Sequence, residues 1–458
     1  MIKNKIWFGL YIVCFLIVPL FLKAQSYKLD DPTTKPFLAV DDTRNRIEVY
    51  VVKGVDDLML SYTPQNSSNS VIWHKYTQKA LESTIVQGER EGDGWTLRNL
   101  QGGSGYYAEE EGVLARYIWI IDYDAYAFKP SSLQVVEGAD PCSSVRLQGD
   151  IDPKTITYYT PSGLPALVDR QFAISYETLR WNDFSKAFDQ LDTTFTVKGN
   201  PFEASYTAPL CDTQFTLEGD RFATYFDSET PISTDLYQAV AVEAHADTVM
   251  TLYDTENTDA SEGLSAPVDI RFTGYANTPV ASLLIWEIYR QDLPSTATKA
   301  DESVETAEEP IVRFVGDEVN YTFNESGLYR AVFEVADRTG ACVDELNSFE
   351  IRIQESMLHV PNAFSPGTTP GINDVFKVKY KSLLNFKAWI YNRWGQQLYH
   401  WVNPAEGWDG KQGGKYVAPG VYFYLIEAQG SDGIHYKKKG AINILRSKNI
   451  QETIDEVE

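Results

Sequence analysis

Apolar and polar residues alternate with a period of two in short runs along most of the chain. The runs of its first part are residues 46–52, 58–62, 71–76, 94–100 and 115–123. A period of two gives a strand one buried and one solvent-facing side, and turns with Gly and Asn separate these runs at spacings of about ten residues. Such a series of short strands predicts an antiparallel β-sandwich.

The aromatic residues of this first unit have two interpretations. Trp73 lies in the third run, at the place where an immunoglobulin-like sandwich has its core tryptophan. The alternative is a carbohydrate-stacking surface built from Trp95, Tyr106, Tyr107 and Trp119. Core packing is the default for aromatic residues in strands, and we expect it here.

The alternation continues into a second unit (residues 141–228) and a third (residues 229–355). In the second unit, only residues 181–190 indicate a short helix. The strand runs of the third unit are residues 267–273, 283–289, 311–315, 319–323, 328–335 and 349–353. Residues 254–259 read as a surface loop. Residues 294–310, rich in Ser, Thr, Ala and Glu, read as a solvated insertion.

The end of the third unit resembles a polycystic-kidney-disease-type module. The resemblance is carried by Tyr-Thr-Phe at 321–323, Ser-Gly-Leu-Tyr at 326–329 and Phe-Glu-Val at 333–335. The Gly-Asp-Gly sequence of that family is not visible. The resemblance implies a further β-sandwich in which Trp286 is the core tryptophan.

The most regular alternation lies in residues 356–446. Residues 376–380 alternate apolar side chains with lysines, and residues 386–391 place their even-numbered apolar side chains on one face. Two strands follow at 421–426 and 441–445, with a turn between them. The prolines fall between the runs, as expected because a proline inside a central strand removes a ladder hydrogen bond. This segment reads as a compact all-β domain.

Six motifs follow one another in this segment. They are P-N-A-F-S-P (361–366), G-I-N-D-V-F (371–376), I-Y-N-R-W-G (390–395), G-W-D-G (407–410), A-P-G-V-Y-F-Y (418–424) and a last strand ending in Leu445-Arg446. Their order resembles the gliding-motility-associated C-terminal domain of Bacteroidetes, the type B sorting domain of the type IX secretion system. The motif residues are Pro361, Asn362, Phe364, Pro366, Asn373, Asp374, Phe376, Asn392, Arg393, Trp394, Gly395, Gly407, Trp408, Asp409, Gly410, Pro419, Gly420 and Tyr422.

This resemblance covers about a fifth of the chain. It implies transport across the outer membrane, followed by retention on the cell surface or release. The implied partner is the outer-membrane machinery of type IX secretion, with a PorP/SprF-like protein as the expected component. We expect the indole of Trp408 to close the end of the small sandwich and Asp409 to accept hydrogen bonds from the backbone of the next turn.

The segment departs from the family pattern in two places. Residues 367–371 replace the N-G-D-G that usually precedes the I-N-D triplet. Ca²⁺ needs six to eight oxygen ligands, so Asn373 and Asp374 read as turn-forming side chains rather than as the start of a calcium site. A charged tail, residues 447–458, extends beyond the last strand.

The first 24 residues have the pattern of a signal peptide. Lys3 and Lys5 precede the apolar run 6–22, and Ala24 supplies a small residue before the expected cleavage point. The alternative is an uncleaved anchor, because the apolar run is nearly long enough to span a bilayer. The sequence therefore predicts a secreted or cell-surface protein on the exterior of the outer membrane after signal-peptide cleavage.

Cys142, Cys211 and Cys342 remain after cleavage. Because the compartment is oxidising, two of them should pair. Cys142 and Cys211 bracket the second unit, so we predict a disulfide between them and a free thiol at Cys342. No C-x-x-C sequence indicates a redox motif or a zinc site.

Charge is distributed unevenly. The formal net charge is −24; residues 356–446 hold eleven Lys and Arg against five Asp and Glu, so the rest of the chain carries −30. This acidity excludes nucleic acid as a partner of the body, since phosphates would be repelled, and it is typical of a soluble exported surface. Docking of the basic segment to an acidic transport component is the second interpretation.

No pattern of catalytic residues emerges. The five histidines are scattered without zinc-ligand spacing, and no G-x-S-x-G or P-loop occurs. We therefore predict no catalytic residue, metal site or cofactor, and a non-catalytic adhesin or structural protein. The alternative is a secreted hydrolase, directed at carbohydrate or peptide, with its site in the N-terminal modules.

The predicted fold class is all-β: tandem immunoglobulin-like β-sandwich modules that end in a small β-sandwich sorting domain. At 458 residues with 43% hydrophobic and 13% aromatic residues, the chain has ample apolar side chains for several such cores. The predicted order is a signal peptide (1–24), an immunoglobulin-like sandwich (25–140), a second sandwich (141–228), a polycystic-kidney-disease-like sandwich (229–355), the sorting domain (356–446) and the tail (447–458).

Overall fold

The structure, a computed structural model, describes residues 26–138, 140–252, 263–291, 309–368 and 371–446. The predicted signal peptide, the loop 254–259, most of the insertion 294–310 and the tail 447–458 lie outside the described residues. Strands dominate the described part, in which α1 (Arg221–Tyr225) is the one α-helix. The predicted all-β fold class is confirmed. In that same part, no helix has the length and hydropathy needed to cross a bilayer.

The N-terminal module is built from two sheets that pack face to face. Its strands are β1 (Ser26–Asp30), β2 (Phe37–Asp42), β3 (Ile47–Val52), β4 (Met59–Thr63), β5 (Val71–Tyr76), β6 (Thr84–Val86), β7 (Glu89–Glu91), β8 (Gly94–Leu97), β9 (Ser104–Glu110), β10 (Val113–Leu114) and β11 (Tyr117–Asp122). One sheet has the order β1-β4-β8-β7, and the other has the order β2-β3-β11-β9-β5-β6, with β10 on β9. Side chains from both sheets form one core.

Trp73 lies in this core with 1% of its surface exposed, so its predicted role is confirmed. The alternative of a carbohydrate-stacking surface is wrong. Tyr106, Tyr107 and Trp119 are buried, and Trp95 packs against the same core as Trp73. Burial of their large apolar surfaces between the sheets explains why aromatic residues recur in these strands.

The second module contains two sheets and a separate hairpin. Its strands are β12 (Leu133–Glu137), β13 (Ser144–Gly149), β14 (Thr157–Tyr159), β15 (Pro165–Leu167), β16 (Gln171–Asn182), β17 (Ala187–Lys198), β18 (Tyr206–Thr207), β19 (Thr216–Asp220) and β20 (Ile232–Ser233). The sheets have the orders β12-β13-β18 and β17-β16-β19-β20, and β14 pairs with β15. By hydrogen bonding, β12 groups with this module although it precedes residue 141.

The helix predicted at residues 181–190 is wrong, because these residues form the end of a long hairpin. β16 and β17 pair along their whole length, with Trp181 opposite Phe188. The side chain of Asn182 accepts hydrogen bonds from the amides of Phe184 and Ser185, which closes the turn locally. Cross-strand pairing and this Asn turn therefore outweigh the weak helical pattern.

The third module is a sandwich whose core surrounds Trp286. Its strands are β21 (Ala244–Leu252), β22 (Val268–Ala276), β23 (Ala281–Arg290), β24 (Val312–Val315), β25 (Glu318–Phe323), β26 (Gly327–Asp337) and β27 (Val343–Ile353). The sheets are β21-β22-β25 and β24-β23-β26-β27. The indole of Trp286 lies 5.1 Å from the ring of Phe272 and 4.8 Å from that of Phe333, so its predicted core role is confirmed. Strand β21 was not predicted, because Ala and Thr at its inward positions give a weak pattern.

The C-terminal module, residues 356–446, has one main sheet and several two-stranded pairings. Its strands are β28 (Met357–His359), β29 (Ala363–Phe364), β30 (Phe376–Lys377), β31 (Lys379–Lys381), β32 (Leu383–Tyr391), β33 (Gln397–Trp401), β34 (Gly407–Trp408), β35 (Lys411–Gln412), β36 (Lys415–Tyr416), β37 (Gly420–Gly430) and β38 (His435–Ile444). The main sheet has the order β29-β38-β37-β32-β33. The alternation predicted for residues 376–380 and 386–391 matches the burial.

A shared core joins the N-terminal and second modules. The outer face of the β2-β3-β11 sheet is covered by the β14–β15 hairpin and α1, so that Val49 and Trp119 pack with Tyr158 and Phe222. A module that presented this face to water would expose a large apolar patch. The two modules therefore bury it together.

A disulfide joins the second and third modules. It links Cys142 to Cys342, with a Cα–Cα distance of 5.3 Å, and leaves Cys211 as a free thiol. The predicted Cys142–Cys211 bond, with Cys342 free, is wrong. Cys142 lies just before β13, where the turn before β27 brings Cys342 into range, whereas the Cys211 thiol lies 3.9 Å from the carbonyl oxygen of Glu177. Bracketing of one unit in the sequence does not determine which sulfurs meet.

Ser382 connects the third module to the C-terminal module. It is fully buried, and its amide donates to the hydroxyl of Ser265 over 2.7 Å. Its own hydroxyl donates to the carbonyl of Gln354 and accepts from the amide of Ala266. These bonds satisfy backbone groups of both modules at a position without access to water, so the junction is specific in geometry.

Candidate functional site

The motif aromatics of the C-terminal module, distant in sequence, meet in one cluster. Phe364 lies 5.8 Å from Phe376 and 5.6 Å from Trp408, measured between ring centroids. Tyr422 completes the cluster at 5.6 Å from Trp408. Phe364, Phe376 and Trp408 have at most 3% of their surfaces exposed. Four motifs therefore form the core of one small domain.

The G-W-D-G turn is held by its own side chains. The indole Nε1 of Trp408 donates to the carbonyl of Lys411 over 2.9 Å, and Asp409 accepts from the amide of Lys411 over 3.0 Å. Gly410 has a φ of +77°, and a Cβ there would lie 2.8 Å from the ring of Pro366. The buried indole and the carboxylate–amide bond both agree with the roles predicted for Trp408 and Asp409.

The loop between the first two motifs is organised by Asp374. Its carboxylate accepts from the amide of Gly367 over 3.1 Å and from that of Gly371 over 2.6 Å. Asn373 has a φ of +56°, and its carbonyl accepts from the amide of Ser365. The turn-forming interpretation of Asp374 is thus confirmed. Among the described residues, no group of three or more His, Cys, Asp and Glu is arranged to hold a metal ion.

The remaining motif residues shape the ends of strands. The carbonyl of Asn362 accepts from the amide of Asn443, which aligns β29 with β38, and Pro361 precedes this pairing. A Cβ at Gly407 would lie 2.5 Å from the carbonyl oxygen of Phe376, so glycine permits the β30–β34 pairing. Gly420 begins β37 directly after Pro419, and the Tyr422 hydroxyl in this strand donates to the carbonyl of Ala418.

The N-R-W-G motif forms the tip of the β32–β33 hairpin. The Asn392 side chain accepts from the amides of Trp394 and Gln396, and Gly395 takes a φ of +80°. Trp394 is 75% exposed, with the guanidinium of Arg393 4.2 Å from its ring centroid. Unlike Phe364, Phe376, Trp408 and Tyr422, Trp394 does not pack in the core of the module.

Two family models match the chain. Residues 358–444 match the CHU_C Type IX secretion signal domain. The C-terminal module is a type IX secretion signal domain. Residues 134–234 match a fibronectin type III domain, a span that begins within β12. The recognised order, immunoglobulin-like modules followed by a sorting domain, is confirmed. A comparison with curated protein sequences finds no match.

The secretion signal domain implies export by the type IX secretion system, interaction with its machinery, and secretion or attachment to the cell surface. The predictions of export and of an exterior location are confirmed at this level. The finer predictions, a PorP/SprF-like partner and cleavage of the signal peptide, stay predictions, as does the polycystic-kidney-disease-type resemblance of the third module.

A carboxylate anchors the start of the secretion signal domain. Asp432 accepts from the amide and hydroxyl of Ser356, and the Ser356 hydroxyl also lies 2.8 Å from that of Tyr436. Burial by itself would raise the pKa of Asp432, but the hydrogen bonds from Ser356 and the amide of Ile434 together lower the pKa below its ordinary value. Asp432 is therefore ionised near neutral pH, and its hydrogen bonds join Ser356, the first residue of the domain, to the turn before β38.

The N-terminal module brings together a hydroxyl, an imidazole and a carboxylate. The Ser83 hydroxyl lies 3.3 Å from Nδ1 of His74, and Nε2 of His74 lies 3.0 Å from Glu109. The sequence contains no local signal for this cluster, because Ser83 lies beyond β5 and Glu109 lies on the neighbouring strand β9. Its geometry departs from that of an activated nucleophile: the Ser83 hydroxyl is closer to the Tyr107 hydroxyl, at 2.8 Å, and the Ser83 amide donates to Ala80.

A groove of about 450 Å³ crosses the outer face of the β17-β16-β19 sheet in the second module. Glu177 and Asp192 face each other across its strands, and Asp212 also lines it. One oxygen of Asp212 accepts from the amide of Ala239, which gives that carboxylate a structural role. After the Ser83–His74–Glu109 cluster, this groove is a second place where side chains suited to hydrolysis, here carboxylates, lie together.

Proposed function

We propose that the chain is a non-catalytic adhesin or structural component, exported through its secretion signal domain after cleavage of the signal peptide. The observation that carries the proposal is the series of specific connections between successive modules. Tyr123 donates to Asp220 between the first two, Cys142 is bonded to Cys342 between the next two, and Ser382 joins the last two.

These connections suit a protein that holds its position against an external load. An interface with a shared core or a covalent bond resists rotation of one module against the next, whereas a flexible linker leaves domains free to move. The junction of the first two modules and the junction of the last two modules each contain buried polar hydrogen bonds. A chain built in this way keeps its N-terminal module in a fixed orientation relative to the secretion signal domain.

Export is tested by removing residues 358–446 in the producing cells. The shortened chain should accumulate in the periplasm, because the upstream modules have their own cores, while the full chain reaches the exterior. A PorP/SprF-like outer-membrane protein is the proposed transport partner, supported by the resemblance to type B sorting domains. Normal export of the shortened chain would contradict the proposal.

Adhesion is tested separately from export. Cells lacking the protein should attach more weakly to a surface or to neighbouring cells, and the purified mature chain should compete with attachment of normal cells. A strain that produces the protein without residues 358–446 serves as the control, since it makes the modules but does not display them. Unchanged attachment in all three tests would exclude the adhesin role and leave the structural one.

A secreted hydrolase is the second candidate function, and the Ser83–His74–Glu109 cluster is the observation that favours it. A serine nucleophile needs a base within hydrogen-bond reach, which His74 provides. The purified chain should be assayed with small ester and peptide substrates beside Ser83→Ala. Hydrolysis that Ser83→Ala abolishes, while the melting temperature stays unchanged, would establish the hydrolase; activity equal in both proteins would remove Ser83 from consideration.

A further inference from the structure

The main sheet of the secretion signal domain has an outer face that its own core does not use. On β32, β37 and β38, Ala388, Ile426 and Ile442 have no exposed surface and point to the core. Residues of opposite parity therefore lie on the other face, because successive side chains alternate across a strand. The outer face includes Lys387, Trp389, Val421, Phe423, Leu425, Glu427, Lys437 and Lys439, and the β32–β33 hairpin tip with Trp394 lies beyond one end of it.

The end of this face is apolar. Phe423 is paired with Tyr391 in the sheet, immediately before the hairpin tip that carries Trp394. The exposed fractions are 75% for Trp394, 50% for Val421 and 44% for Phe423. Tryptophan is among the residues that most often dominate the binding energy of a protein interface.

The middle of this face is basic. Lys387 lies opposite Glu427, which in turn lies opposite Lys437, and Lys439 is opposite Leu425 in the next row. Glu427 forms an ion pair of 2.9 Å with Lys437. Three lysines against one glutamate leave this face positive, in a chain whose formal net charge is −24.

We infer that this outer face is the surface by which the secretion signal domain docks on the transport machinery, and that its counterpart is an acidic protein surface with an apolar pocket for the Trp394 indole. The inference rests on the proposed export through this domain, and it adds which face is read and the chemistry of the partner. The lysines increase the rate of association with an acidic surface. The indole, once buried in the partner's pocket, slows dissociation of the complex.

The charge of the chain itself favours an external partner. The domain carries an excess of six positive charges and the remainder an excess of thirty negative ones. An acidic partner surface attracts the basic domain and repels the acidic rest of the chain, so the basic domain approaches that surface first. Orientation of the exported chain with this domain toward the machinery follows from that asymmetry.

The test uses the full chain in the producing cells. Export is measured as the fraction of the protein that is found beyond the outer membrane, on the cell surface or in the medium. Trp394→Ala and the double variant Lys387→Glu/Lys439→Glu should each lower that fraction roughly tenfold, the loss typical of an interface hot spot. Matched controls are Phe184→Ala, which truncates a 99% exposed aromatic of the second module, and Lys379→Glu/Lys415→Glu, which reverses two exposed lysines elsewhere in the same domain. Both controls should be exported normally.

Each outcome has one meaning. If deletion of residues 358–446 leaves export intact, the export proposal fails; if deletion blocks export but both face variants are exported normally, only the docking inference fails. Melting of the purified full-length variants shows whether a loss of export reflects unfolding. If Trp394→Ala lowers the melting temperature, the export of Lys387→Glu/Lys439→Glu decides whether the face docks, because the two replaced lysines are exposed and contribute no core packing.

Two other occupants are distinguished with the purified full chain. Light scattering shows whether two copies associate through the basic face and the acidic body, and vesicles of anionic phospholipid show whether the face binds a membrane. Association or vesicle binding that Lys387→Glu/Lys439→Glu abolishes, combined with normal export of this variant, would overturn the inference.

Discussion

Cys142 and Cys342 are joined by a disulfide although 200 residues separate them, and the bond connects the second module to the third. Beside it, the amide group of Asn277 donates to the carbonyls of Leu210 and Ala241, and the Trp181 indole stacks on His245 at 4.2 Å. The covalent bond and these contacts act at one junction. The disulfide thus preserves an interface that side chains also define.

Chemical mapping of the cysteines should show this pairing. We expect labelling of the denatured, non-reduced mature protein to modify Cys211 alone, and a digest to contain the linked peptides of Cys142 and Cys342. The double variant Cys142→Ser/Cys342→Ser should lose about 5 kcal/mol of unfolding free energy on chain-entropy grounds, because the closed loop is long. A linked peptide containing Cys211 would contradict the structure.

Truncation of Trp408 should unfold the secretion signal domain. Trp408 has no exposed surface and contacts Phe364 and Tyr422, so Trp408→Ala should cost about 3–5 kcal/mol, a large part of the stability of a small domain. A low-temperature transition should appear in the melting curve of the full chain, and export should stop. For the melting curve, Trp394→Ala is the matched control, because it removes an exposed indole from the same domain and should leave the transition in place. An unchanged melting curve for Trp408→Ala would refute the structural role.

Loss of the Asp220 carboxylate should destabilise the junction of the first two modules. Asp220 and Arg170 form an ion pair with side-chain exposures of 0% and 4%, and the Tyr123 hydroxyl donates to the same carboxylate. Burial and the Asp220 charge raise the pKa of Tyr123, so its hydroxyl stays a donor. Asp220→Asn should cost about 3–5 kcal/mol because it leaves a buried guanidinium uncompensated. Tyr123→Phe, which removes one hydrogen bond, should cost about 1 kcal/mol; equal losses in denaturant unfolding would contradict this account.

Acid should weaken the anchor at the start of the secretion signal domain. Because the folded-state pKa of Asp432 is depressed below its ordinary value of 3.8, the carboxylate stabilises the fold above that pH, and the contribution is lost as the pH falls through the folded-state pKa. Asp432→Asn should therefore melt at a lower temperature than the unchanged protein near neutral pH. The difference should shrink as the pH falls from about 5 to about 2. A difference independent of pH would assign the effect to shape rather than charge.

Local sequence predicts the strands and the secretion signal domain well. The alternation in residues 376–380 and 386–391, the core positions of Trp73 and Trp286, and the turn bonds of Asp374 and Asp409 all depend on neighbours within a few residues or on the side of a strand. Periodicity and turn chemistry encode these features directly. The family motifs encode the domain in the same local way.

Tertiary structure decided which distant groups meet. Cys342 rather than Cys211 bonds Cys142, and Ser83 meets His74 and Glu109. Trp394 and Trp408 both lie in glycine-containing motifs, yet one is 75% exposed and the other is buried. Such outcomes depend on how sheets stack and modules dock, and the single sequence contains no local signal for those non-local contacts.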